Sequence, residues 1–178
     1  MKRVGLLLAM VLVLAACDKN TPLMKNVLDE DTEAVEKALA SGTAVNEQNH
    51  YGWTALMHAA RIGNAPLVET LVKRGAGVDI KDKDGWTPLI RAALKNHTEV
   101  VRLLLEHGAA VNATENTGRS ALHWAAVRGN AEAVQLLLAK GANPSLMDLE
   151  KWTPTMLARK EGYPEIAQTL DLAEKTKR

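Results

Sequence analysis

The groups with chemistry to offer in this 178-residue chain are one cysteine, five histidines and a carboxylate-rich turn near residue 82. His50, His58, His97, His107 and His123 make no i, i+4 pair around a glutamate, the spacing that sets two imidazoles on one helix face for zinc. A calcium loop over Asp82-Lys83-Asp84-Gly85 would need an acidic ligand where Ile80 stands and a glutamate where Arg91 stands, so the run reads as a polar turn. Gly118-Arg119-Ser120-Ala121-Leu122 opens like a nucleophile elbow but lacks the second glycine and the preceding strand. No phosphate-cradling loop, paired-carboxylate site or dinucleotide fingerprint occurs, and the expectation is a chain with no catalytic residue, no metal and no cofactor.

Cys17 is the exception, because its setting suits acylation. Lys2 and Arg3 precede an apolar stretch from Gly5 to Ala16, too short for a comfortable membrane span and typical of an export signal. Leu14-Ala15-Ala16-Cys17 resembles the lipobox of bacterial lipoproteins, which implies cleavage of residues 1–16 and lipidation of Cys17. The free energy of burying methylenes in a bilayer makes one acyl chain a marginal anchor and two or three a durable one, as lipoproteins of this type carry. Asp18 resembles the sorting signal that keeps such proteins on the periplasmic face of the inner membrane. Residues 17–20 then form a short tether, and Asp18 to Thr21 reaches only about 14 Å when extended. Loss of Lys2 and Arg3 leaves 20 basic residues against 21 acidic ones, a balance with nothing to attract nucleic acid.

The elements that must position everything else follow a 33-residue period, with Gly52, Gly85, Gly118 and Lys151 in phase and Thr54, Thr87, Ser120 and Thr153 two residues behind. The hydroxyls suit helix N-caps, and Pro88 and Pro154 fall at the first helical position, where a missing N–H costs little. Leu56, Leu89 and Leu122 face a core, while Ala59-Ala60, Ala92-Ala93 and Ala125-Ala126 keep the next turn thin enough for close helix approach. Gly63, Gly129, Gly162 and Asn96 are placed to end these helices in the left-handed conformation. Second helices carry Leu67-Val68 and Leu71-Val72, Val100-Val101 and Leu104-Leu105, then Ala133-Val134 and Leu137-Leu138. Gly75, Gly108 and Gly141 close them.

These blocks resemble the ankyrin-repeat family, which implies an all-α solenoid of stacked helix–turn–helix pairs with projecting hairpin fingers. The resemblance covers residues 21–173: an N-terminal cap (21–48), central repeats at 49–81, 82–114 and 115–147, and a C-terminal cap (148–173), with 174–178 expected to fray. The family's histidine after Thr-Pro-Leu is kept only at His123, with Met57, Ile90 and Met156 at the other copies.

Repeat scaffolds bind more often than they catalyse, and the types most enriched at interface hot spots are tryptophan, tyrosine and arginine. Trp53, Trp86 and Trp152 share one phase, with Arg119 in the third copy and Tyr51 beside Gly52. In the family this phase borders the concave face. The indoles either grip a partner there or lie flat over the next repeat's turn. His58, Arg91 and Trp124 share a first-helix phase expected to line the same groove, although Trp124 is equally suited to partial core burial. The candidate surface is therefore Tyr51, Trp53, His58, Trp86, Arg91, Arg119, Trp124 and Trp152.

The expected function is that of a non-catalytic envelope lipoprotein, monomeric, binding another protein as adaptor, stabiliser or inhibitor. An immunity protein against an envelope-directed toxin or hydrolase is the alternative within that class. An enzyme with a hidden groove site and a purely structural spacer are the rivals outside it.

Overall fold

The computed structural model describes residues 20–176. The expected signal segment 1–16, the expected lipidation site Cys17 and the expected sorting residue Asp18 lie outside the described residues. Among those described, ten helices follow one another in pairs: α1 (Pro22–Leu28) with α2 (Thr32–Ala40), α3 (Ala55–Ile62) with α4 (Ala65–Lys73), α5 (Pro88–Leu94) with α6 (Thr98–Glu106), α7 (Ala121–Val127) with α8 (Ala131–Ala139), and α9 (Pro154–Lys160) with α10 (Pro164–Thr176). Odd-numbered helices form an inner row in which each packs on the next, and even-numbered helices from α4 onward form an outer row. The only β-pairing among these residues is an isolated bridge between Thr114 and Ser120, so the chain is the all-α repeat solenoid expected.

Each inner helix starts where its cap chemistry dictates. The side-chain oxygens of Thr21, Thr54, Thr87 and Thr153 accept from the backbone N–H three residues on, at 3.3 Å in every case. Ser120 uses a different device, because His123 Nδ1 accepts from the Ser120 N–H at 3.1 Å. That acceptor role puts the ring proton on Nε2, which donates to the Trp152 carbonyl of the next repeat at 3.3 Å. The single retained histidine therefore makes a bond between repeats, whereas Met57 and Ile90 fill the same position with buried hydrocarbon.

Leu56, Leu89 and Leu122 are at most 1% exposed, and the paired alanines beneath them are fully enclosed, which lets neighbouring helices of the inner row meet closely. Asn130 is a polar member of this core. Its Nδ2 donates to the Ala93 carbonyl at 2.6 Å, satisfying a helix-end acceptor in the preceding repeat. Along the loops below the outer row, Asn46, Asp79 and Asn112 each accept from the backbone N–H of the following repeat, at Gly77, Ala110 and Asn143.

The fingers are joined to one another by backbone. Lys83 N–H donates to the Tyr51 carbonyl at 3.1 Å, Asn116 N–H to Asp84 at 3.0 Å and Leu149 N–H to Thr117 at 2.9 Å. This spacing explains the period's glycines and its one exception. Gly52, Gly85 and Gly118 have φ between +80° and +85°, and a Cβ on any of them would come within 3.0 Å of a backbone nitrogen in the next finger. Lys151 adopts φ +68° at the same phase, in the last finger of the described chain, with no further finger stacked on it.

The C-terminal end departs from expectation. Helix α10 continues through Glu174, Lys175 and Thr176, where fraying was expected. The added turn has holding contacts: Ser145 Oγ donates to Glu174 at 2.8 Å, and Thr176 Oγ1 donates to the Ala173 carbonyl at 3.0 Å. Glutamate and lysine are good helix formers, and no glycine or proline intervenes to stop the helix.

Gly85→Ala is expected to cost about 1–3 kcal/mol, from strain at positive φ plus displacement of the neighbouring finger. Lys151→Gly should change stability by less than about 1 kcal/mol. Urea unfolding of the two variants measures the difference, and equal losses would contradict the finger-stacking account.

Candidate binding groove

The aromatic residues are held by the turns that precede the inner helices. At the base of each finger a side-chain acceptor folds the turn around itself. Asn49 Oδ1 accepts from the N–H of Tyr51 and Trp53, Asp82 Oδ1 from Asp84 and Trp86, and Asp148 Oδ1 from Glu150 and Trp152, all at 2.9–3.0 Å. Glu115 does the same for Thr117 and Arg119 at 2.8 and 3.1 Å. Residue 53, 86, 119 or 152 is thereby aimed from each finger toward the inner helices, which contribute His58, Arg91 and Trp124 from one phase.

Six of the eight expected residues meet in one continuous array. The Trp53 ring lies 4.8 Å from the His58 ring, and Arg91 is inserted between fingers, its Cζ 4.0 Å from the Trp53 centroid and 4.5 Å from that of Trp86. Trp86 packs on Trp124 at 5.0 Å with planes 32° apart, and Arg119 lies 5.4 Å over Trp124. Offset rings and guanidinium-over-indole contacts are each worth about 0.5–2 kcal/mol, so the array both stabilises the stack and fixes a surface. Trp86 and Trp124 pack partly against the core, yet neither is fully buried.

Tyr51 and Trp152 stand apart from the array. Tyr51 is 46% exposed on the first finger with its ring edge-on to His50, and Trp152 lies under Lys160 at the far end, 4.9 Å from its Nζ.

Three residues that organise the groove escape a reading of the sequence alone. Asp82 is 6% exposed and its second carboxylate oxygen pairs with Arg91, setting the guanidinium between the two indoles. Asp148, 3% exposed, accepts from Arg119 Nε at 2.9 Å and so links the third finger to the fourth. Burial pushes the Asp148 carboxyl up, but the Arg119 guanidinium and the backbone N–H of Trp152 and Glu150 outweigh it and hold the group below the usual carboxylate range. Arg61 lies 5.5 Å over the Trp53 ring. The signal for the two aspartates was their phase, which matches Asn49 and Glu115, but their arginine partners are not predictable from spacing.

His58 is 6% exposed and neither ring nitrogen has a hydrogen-bond partner. Burial, followed by the Arg61 and Arg91 guanidiniums, pushes its pKa down to about 4. The ring is therefore neutral near pH 7. Among the described residues no group of His, Cys, Asp and Glu is arranged to hold a metal ion, and no helix is long and apolar enough to cross a membrane.

Stacked helix pairs with a finger ribbon beside a half-buried tryptophan–arginine groove have the architecture of a repeat interaction scaffold. A family model for ankyrin repeats matches three times, over residues 12–115, 60–148 and 108–177, and the chain belongs to the ankyrin-repeat family. Such repeats form protein–protein interaction domains that are in general non-catalytic. The chain is 41% identical over 54 residues to the rabbit (Oryctolagus cuniculus) ankyrin repeat, SAM and basic leucine zipper domain-containing protein 1, a match covering 30% of this chain and 11% of that protein. The corresponding protein of Echinops telfairi is 43% identical over 58 residues, covering 33% of this chain and 12% of the relative. These matches take in only a small fraction of the relatives' length and reflect shared repeats.

Unfolded His58 should titrate near 6.5, whereas the folded ring resists protonation until about pH 4. The unfolded chain then binds more protons through that window, so this contribution to stability is complete above pH 6.5 and is lost as pH falls toward 4, by up to on the order of 3 kcal/mol. Urea unfolding at pH 7 and pH 4.5 should show a shallower loss for His58→Gln than for the parent. An unchanged pH slope would contradict the buried, neutral assignment.

Proposed function

We propose that the chain is a membrane-tethered, non-catalytic binding protein of the bacterial cell envelope that holds a partner protein across its concave face. The observation that carries the binding part is the array from Trp53 through Arg91 and Trp86 to Trp124 and Arg119, which crosses three repeats without leaving the groove. Trp86, Trp124, Arg91 and Arg119 are each held by neighbours, so a partner meets them with little further loss of side-chain entropy. Tryptophan and arginine in such settings are the usual centres of interface energy.

The tether rests on the lipobox-like Leu14-Ala15-Ala16-Cys17 and on the short link that follows. Asn49 Nδ2 donates to Asn20 Oδ1 at 2.8 Å, tying the start of the folded body to the first finger. With Cys17 acylated, three residues reach about 10 Å, and the Tyr51–Trp53 end of the groove is the end nearest the lipid. Asp18 favours the periplasmic face of the inner membrane. Anchoring restricts the search for a membrane partner to a thin layer and raises its effective concentration.

Mass spectrometry of the mature protein should find Cys17 as residue one carrying acyl chains, and Cys17→Ser should release the protein from membranes. Crosslinked complexes formed in native membranes should fall at least tenfold for Tyr51→Ala/Trp53→Ala/Trp86→Ala with the helical spectrum unchanged. An unmodified, freely soluble product would overturn the tether. Undiminished complexes in the triple variant would overturn the groove.

A further inference from the structure

The groove is not chemically uniform along its length. Its far half, a cavity of about 670 Å³, is lined by Asp84, Glu115, Asp148 and Glu150 around a single Arg119, with the Trp86–Trp124 pair as its aromatic wall. The near half, about 450 Å³, is lined by Asn20, Asn49, Tyr51, Trp53, His58 and Arg61, with no carboxylate among the described residues of its lining.

Hydrogen-bond accounting in the near half leaves donors without acceptors. The Asn49 carbonyl oxygen is spent on the N–H of Tyr51 and Trp53, and its amide on Asn20 Oδ1. His58, though more than nine-tenths buried, has no partner at either nitrogen, and Arg91 Nε behind Trp53 also lacks an acceptor. Arg61 is exposed and, among the described residues, enters none of the ion pairs. Arg91 is neutralised by Asp82, so among the described residues of this half Arg61 supplies the uncompensated charge. An unsatisfied buried donor destabilises the fold, a penalty that a bound acceptor would remove.

We infer that the Trp53–His58–Arg61 end of the groove is a subsite for a carboxylate side chain of the partner protein. This rests on the reading of the groove as a protein-binding surface and names the chemistry of one of its contacts. Arg61, lying over Trp53, offers its guanidinium to the carboxylate in the charge-assisted geometry that arginine favours. Trp53 is half-buried and covers the imidazole, so the incoming group turns the indole aside and accepts a hydrogen bond from a His58 ring N–H. Among the described residues one unpaired cation stands here beside a neutral imidazole, which matches a monoanion, whereas a phosphate dianion calls for more than one positive partner. The acidic far half excludes a carboxylate there, which gives a bound segment a direction along the groove.

The test titrates the folded protein, labelled on histidine and tryptophan, with an end-blocked hexaglutamate peptide at pH 7, in parallel with hexalysine, inorganic phosphate and vesicles containing anionic lipid. The expected result is saturable shifts at His58 and Trp53 with hexaglutamate, none with hexalysine, weaker ones with phosphate, and at least tenfold weaker peptide binding by Arg61→Gln. Absence of hexaglutamate binding, equal binding by Arg61→Gln, or shifts produced by vesicles in place of the peptide would overturn the carboxylate subsite. The crosslinked complexes of native membranes separate the two readings. Complexes kept by Arg61→Gln but lost with Trp86→Ala would leave the groove standing and remove the subsite, while complexes kept by both would remove the groove itself.

Discussion

The constraint behind this structure is that no helix pair can bury its apolar face alone. Leu56, Leu89 and Leu122 are enclosed only because the inner helix of a neighbouring repeat covers them, and the alanine pairs set how near that neighbour comes. Stability in such a stack is close to a sum of nearest-neighbour terms, so every junction has to be well made. The polar contacts obey the same rule. Asn130 reaches back to Ala93, His123 forward to Trp152, and each finger donates a backbone N–H to the one before it.

The groove follows from those junctions. Because fingers repeat at a fixed separation, one arginine can lie between two successive indoles, and Arg91 does so between Trp53 and Trp86. The buried carboxylate of Asp82 has a double task, closing its own turn with one oxygen and orienting Arg91 with the other. A buried ion pair of this kind is weak evidence for added stability, since desolvation offsets most of the attraction. Its consequence here is orientation, which is what a recognition surface requires.

Much of this was legible in the sequence, and the reason is periodicity. A residue's phase in the 33-residue repeat places it on finger, inner helix or outer helix, which was enough to put Trp53, Trp86, Trp124, His58, Arg91 and Arg119 on one side. Phase does not report which side chains touch across repeats. The partners of Asp148, Asn130 and His123 lie 29 to 37 residues away, and their pairing depends on rotamers set by packing. Tyr51 and Trp152 show the limit, for they share the zone and yet stay outside the array. The end of α10 shows another, because the Ser145–Glu174 bond holding its last turn also spans 29 residues.

The central claim is that the finger side of the inner row is where this protein meets its partner. Hydrogen exchange measured on the protein in its crosslinked native complexes, against the same protein purified alone, tests that most directly. The account predicts added protection in the fingers and cap turns, residues 49–54, 82–87 and 115–120, with the outer helices unchanged. Protection confined to the outer helices α4, α6 and α8, or no difference between the two preparations, would contradict it.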